Sequence, residues 1–190
     1  PADTRAGALG NYGLLLATQE DYAGAIDHLE QALAIREGYQ APDHPEIARV
    51  LSNLGGALLA NDELLRAKEV LSRAVGILER AQGGERSVMI TVLAALGRAH
   101  LASGEPRTAL PLLERAVALG DDSEADPITR GDAEFGLARA LVDTGGSIGR
   151  ARALATVARA HYARGQSEGQ PGTESPLAAL DQWRLDHPAP

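Results

Sequence analysis

Residues Gly38–Gly56 read GYQAPDHPEIARVLSNLGG and join one leucine- and alanine-rich helical pattern to the next. Two features need a reason: Asp43-His44-Pro45 at the junction, and glycine inside the helical pattern that follows, where it loses about 1 kcal/mol relative to alanine. The first is a helix start. Asp43 or His44 stands in the capping region and Pro45 near the first helical position, where its missing N–H costs nothing. Pro1-Ala2-Asp3 and Asp126-Pro127 are equivalent junctions. The second is explained by repetition. Leu9, Leu51 and Leu93 stand 42 residues apart. The same interval separates Gly13, Gly55 and Gly97; Ala25, Ala67 and Ala109; Leu29, Leu71 and Leu113; and Ala32, Ala74 and Ala116.

Between the glycine and the first alanine of each unit lies a polar break, Gln19-Glu20-Asp21, Asn61-Asp62-Glu63 or Ser103-Gly104-Glu105. The break separates two amphipathic segments, so each unit is expected to be a helical hairpin. Where two helices cross closely, small side chains let the axes approach. Gly13 is therefore expected to face Ala25, and Ala32 to receive the next hairpin. A fourth unit follows with Ala151 and Ala158 in the alanine columns, and Gly145-Gly146 absorbs one extra residue. Glu134 replaces the leucine of the first column there, which leaves the packing of Phe135 open.

The expected architecture is an all-α, right-handed solenoid of four hairpins at about 4–42, 45–84, 86–122 and 127–164. A loop over 165–174 follows, and then a helix over 175–187 with Leu177, Leu180, Trp183 and Leu185 as its apolar residues. A stacked array leaves its last hairpin with a bare apolar face, so this helix reads as a cap anchored by Trp183.

The chain has 190 residues, enough to bury a continuous core without staples. It contains no cysteine, which excludes disulfides, thiolate metal sites and a cysteine nucleophile and makes a reducing, cytoplasmic setting the natural reading. A net charge of −8 and 3% aromatic content argue against nucleic-acid binding. No apolar run long enough to span a membrane occurs, and neither a signal-peptide pattern nor an initiator Met precedes the first unit, so Pro1 is expected to mark a cut. The basic residues are seventeen arginines and Lys68, a skew expected of a GC-rich bacterial genome.

Chemistry-bearing patterns are weak. Thr144–Ala151 (TGGSIGRA) superficially suggests a phosphate cradle with Arg150 and Arg152, but no strand precedes it and the Lys-Ser/Thr ending is missing. The run Asp121, Asp122, Glu124, Asp126 lacks the glycine and terminal glutamate of a calcium loop. His28, His44, His100, His161 and His187 are not paired at zinc-type spacing, and His100 reads as a satisfied, partly buried imidazole. No cofactor, metal or enzymatic role is implied.

The columns resemble the tetratricopeptide repeat, and ALAIRE (Ala32–Glu37), DHPEIA and LSNLGG are similar to its 42-residue, kinesin-light-chain-like form. The chain's end, AEFGLARAL through LAALDQWRLDHP, resembles the C-terminal region of bacterial serine/threonine protein kinases that carry such repeats. The first resemblance implies a noncatalytic module whose first helices line a concave groove for a peptide or protein. Carried over position by position, the groove would be lined by Asn11, Leu14, Arg49, Asn53, Gly56, Arg98, Leu101, Phe135 and Arg139. Its arginines would favour an acidic or carboxylate partner, although Arg139 is also placed to pair with Asp143 on its own helix. Self-association through a first-hairpin face bared at Pro1 is the alternative. An anion sensor built on Arg150 and Arg152 is a third.

Overall fold

The computed structural model describes residues 2–81, 86–120, 125–170 and 174–188, with backbone alone at 174 and 175. The described residues form nine α-helices and no strand: α1 (Ala2–Thr18), α2 (Tyr22–Glu37), α3 (Pro45–Ala60), α4 (Leu64–Arg80), α5 (Arg86–Ala102), α6 (Pro106–Gly120), α7 (Pro127–Asp143), α8 (Ile148–Ser167) and α9 (Glu174–Asp186). Asp121, Asp122 and Glu124 lie outside the described residues, as do the expected ends of the second and third units.

Local chemistry sets these boundaries. Of the two candidates at the quoted junction, His44 caps α3: its backbone is extended, and Nδ1 accepts the Glu46 N–H at 3.1 Å with Pro45 leading the helix. Asp21 caps α2 through the Gly24 N–H at 3.0 Å, and Asp126 caps α7 through the Thr129 N–H at 2.9 Å. The odd-numbered helices of the four hairpins all end alike. Glu20, Asp62, Gly104 and Gly145 adopt left-handed backbone at φ 63°, 60°, 73° and 73°. The next N–H then returns to the carbonyl five residues back: Asp21 to Leu16, Glu63 to Leu58, Glu105 to His100 and Gly146 to Leu141, at 2.7–3.0 Å. Each helix thus stops while its last carbonyls keep donors. The extra residue of the fourth turn is Ser147, whose Oγ accepts the Arg150 N–H at 3.3 Å and caps α8.

Each odd helix of the four hairpins packs on the even helix that follows it, and α1, α3, α5 and α7 also pack on one another in succession. No two even-numbered helices pack comparably among the described residues. A stack whose one layer is drawn together while the other is splayed must curve, and the odd helices line its inner side. The core runs between the layers. Ala25, Ala67, Ala109 and Ala151 are fully buried, as are Ala32, Ala74, Ala116 and Ala158.

The interior glycines serve the leucine column rather than the alanine column alone. A Cβ on Gly13 would stand 2.8 Å from Leu29 Cγ and 3.2 Å from the Ala25 carbonyl, and one on Gly97 would stand 2.5 Å from Leu113 Cγ. Gly55 faces Leu71 in the same way. In the fourth hairpin Ala138 and Ala155 occupy these two positions, both fully buried.

Two details of the chain's end depart from expectation. Helix α8 runs on to Ser167, into the stretch expected as loop. Leu180, fully buried, is the deepest anchor of α9, while Trp183 is only partly buried and Leu185 is 74% exposed. Trp183 meets Phe135 edge to face at 6.0 Å between ring centroids.

Candidate functional site

The inner surface is built from positions that recur on α1, α3, α5 and α7. In register these are Gly7, Arg49, Thr91 and Asp132; then Asn11, Asn53, Ala95 and Gly136; then Leu14, Gly56, Arg98 and Arg139. Spacings of four and three residues put the columns on one helix face. Asn11, Leu14, Arg49, Gly56, Arg98 and Arg139 are exposed and Asn53 is half-buried. A Cβ on Gly56 would meet nothing within 4 Å, so the floor is shallow there.

Leu101, expected in the groove, is a core residue, whereas Phe135 is buried but lines a recess at the end of the inner face. Leu101 packs in the apolar cluster of the last two hairpins, and Phe135 is held beneath Trp183 of the cap. Glu134, beside it, is also buried, and its Oε2 meets Nδ1 of His161 at 2.8 Å. The column that carries leucine in the first three units thus carries a buried pair in the fourth.

The three groove arginines differ in what holds them. Arg49 pairs with Glu46, whose carboxylate also meets buried Arg36 at 3.0 Å. Arg98 pairs across helices with Asp132, and the Tyr162 hydroxyl donates to the other oxygen of that carboxylate at 2.7 Å. Burial, then the Asp132 charge, pushes the Tyr162 phenol far above its usual range, so it stays a donor. Arg139 forms no bond with Asp143 or with any other described residue, contrary to the intrahelical alternative.

Arg139 lies on the wall of a cavity of about 170 Å³ shared with Arg98, Asp132, Phe135, Gly136 and Tyr162 and closed on one side by Pro176 and Ala179 of α9. The inner face therefore ends in a recess lined by Arg98, Asp132 and Arg139, of which Arg139 has no bond to a described residue. Asp132 and Tyr162 were not singled out from sequence. The available signal was a size exchange: Ile90 and Gly120 in the third unit correspond in register to Gly131 and Tyr162, and a Cβ on Gly131 would stand 2.7 Å from the Tyr162 ring.

Other sequence candidates have partners within the fold. His100 Nδ1 meets Glu105 at 2.6 Å, and with Lys68 it holds the Glu105 carboxyl below the usual range. Arg150 pairs with Glu114 at 2.9 Å, and Arg152 donates to the carbonyls of His187 and Pro188. Among the described residues no three His, Cys, Asp or Glu groups are placed to hold a metal ion, and no helix is long and apolar enough to cross a membrane.

Curved stacks of helical hairpins with a lined inner face form the class of α-solenoid repeat proteins, whose general role is to bind other proteins. This chain belongs to the tetratricopeptide repeat family: the family model matches residues 4–80 and, in overlapping register, 46–121, together more than half of the chain. It is similar to the crystal structure of a kinesin-light-chain-like protein of Podosopora anserina with nearly identical TPR-like repeats, at 26% identity and a TM-score of 0.61 over 85% of this chain and 77% of that one. A point-substituted form of that protein gives 25% identity and a TM-score of 0.63 over 86% and 77%. BtubC (BKLC) from P. vanneervenii shares the fold at 19% identity, with a TM-score of 0.72 over 86% of this chain and 65% of its own. No curated protein matches the sequence.

Proposed function

We propose that the chain is a noncatalytic interaction module that holds an acidic segment of a partner protein along its inner face, with an acidic side chain or terminal carboxylate seated in the recess beside Arg139. One observation carries this reading: in a chain of net charge −8, a guanidinium with no internal partner lines a recess at the end of the inner face. A carboxylate placed there gains a charge-assisted, two-pronged contact without displacing an existing pair. Asn11 on α1 and Asn53 on α3, farther along the inner face, offer side-chain amides to a peptide backbone. The resemblance of the chain's end to repeat-bearing bacterial kinases supports a regulatory or scaffolding place in such a signalling protein.

The test is isothermal titration with acidic peptides drawn from proteins that co-purify with the full-length parent. Arg139→Glu is expected to weaken binding at least tenfold, while Arg150→Glu, on the outer layer, leaves it unchanged. Equal affinities in all three proteins would defeat the groove reading.

A separate observation favours self-association. Leu54, Leu96 and Leu137 are buried against the preceding hairpin, and their counterpart in α1 is Tyr12, 48% exposed; Ala57, Ala99 and Ala140 are buried likewise, and their counterpart is Leu15, 50% exposed. Two copies meeting through this face would bury it symmetrically. Light scattering over a concentration series decides this reading, since a chain that stays monomeric removes it.

A further inference from the structure

We infer that the seam between α8 and the capping helix is a binding site for a doubly charged tetrahedral oxyanion, a phosphate or phosphate monoester group. A cavity of about 180 Å³ opens there, lined by Arg152 and Thr156 of α8 and by Arg184 and His187 at the end of α9. No carboxylate is among these lining residues.

Arg152 is fixed by carbonyls, with Nε donating to His187 at 3.1 Å and Nη2 to Pro188. Neutral carbonyls orient a guanidinium without cancelling its charge. Arg184 makes no hydrogen bond or ion pair with any described residue. The His187 ring stacks on Trp183 at 4.5 Å and donates Nδ1–H to the Trp183 carbonyl at 2.8 Å, so Nε2 accepts from a P–OH in the neutral ring and donates to an oxyanion only as imidazolium. Neither nearby acid hydrogen-bonds to Arg152 or Arg184, although the Arg184 charge acts on the Asp181 carboxyl. Asp181 is held by Arg159 at 2.7 Å, and Asp186 accepts from Gln182 at 3.0 Å.

Two guanidiniums from different helices thus line one cavity whose lining residues include no carboxylate. A tetrahedral dianion has enough acceptor oxygens to meet both forks at once, whereas a carboxylate satisfies one fork and chloride neither. The site is separate from the inner face, so its test does not depend on the peptide reading.

Trp183 is the single tryptophan of the sequence and stacks on a wall of the cavity, so its emission reports occupancy directly. The whole chain is titrated at constant ionic strength with inorganic phosphate, O-phosphoserine, acetate and chloride, and equilibrium dialysis with labelled phosphate covers the case of silent emission. Saturable binding is expected for the two phosphates and not for acetate or chloride. Arg184→Ala is expected to weaken binding by about tenfold or more with an unchanged helical circular dichroism spectrum, because Arg184 forms no hydrogen bond or ion pair with a described residue. Tighter binding of O-phosphoserine than of phosphate marks a monoester ligand, and equal binding marks the free anion. Absence of saturable phosphate binding by dialysis, acetate binding as tight as phosphate, or full affinity in Arg184→Ala would each overturn the site.

Discussion

At the scale of single residues, the repeat works through paired sizes rather than through fixed letters. Glycine at 13, 55 and 97 lets a leucine from the following helix reach the backbone, and the fourth hairpin fills the same volume with Ala138 against Ala155. The Gly131–Tyr162 pair inverts the sizes of Ile90 and Gly120 in the unit before it. This makes a double-mutant test decisive. Gly97→Ala places a methyl 2.5 Å from Leu113 Cγ, the branch point of the side chain rather than its flexible tip. Overpacking of that kind destabilises by about 1–3 kcal/mol. Leu113→Ala alone opens a cavity and costs about 2–5 kcal/mol. The double variant recreates the alanine pair of the fourth hairpin, so its loss in urea unfolding is expected to fall short of the sum by about 0.5–3 kcal/mol. Strict additivity would mean that the two positions do not share one volume.

Between elements, the outer layer is held where side chains of the core do not reach. The even helices are splayed, and Arg–Glu pairs span the gaps: Glu30 with Arg66 and Glu37 with Arg73 between α2 and α4, Glu79 with Arg115 between α4 and α6, and Glu114 with Arg150 between α6 and α8. These pairs are half-exposed, so each contributes roughly 0–1 kcal/mol and acts mainly on the spacing of the helices. The capping helix depends on one such contact more heavily, because beyond Leu180 and Trp183 it buries little. The hydrogen bond from Arg159, with its charge, holds the Asp181 carboxyl below its usual value near 3.8. A depressed carboxyl favours the docked state above its free value, and the advantage disappears as pH falls through the docked value. Trp183 emission is therefore expected to shift toward that of exposed indole in an acid step below about pH 3.8, and Asp181→Asn is expected to lack that step. An identical acid profile in the variant would show that another group controls the cap.

Across the whole molecule, what the sequence made legible was whatever repeats. The hairpins, the alanine columns and the polar breaks recur in register, so one physical rule read three times fixed their places. Leu101, Phe135, Asp132 and Tyr162 escaped that logic because their surroundings occur once: the cap covers Phe135, and the Arg98–Asp132–Tyr162 chain draws on three helices at unrelated repeat positions. The same distinction governs stability. In a linear stack each hairpin is supported only by its neighbours, so the ends lack half of the support that the middle has. Helix α1 leaves Tyr12 and Leu15 exposed on the face that α3, α5 and α7 bury. Helix α9 is fastened through Leu180, through partly buried Leu177 and Trp183, and through the contact of Arg159 with Asp181, with Arg152 holding the His187 carbonyl just beyond it. Local opening free energies follow buried apolar contact, from near zero at poorly packed ends to the global value in the core. Native-state hydrogen exchange is accordingly expected to show the slowest amides in α5 and α7, faster exchange in α3 and α8, and the fastest in α1 and α9. A charge on the exposed face, Leu15→Glu, is expected to leave that order and the rates in α5 unchanged. Uniform protection from α1 to α9 would mean instead that the stack opens as one cooperative body and that the bare face of α1 is covered in solution.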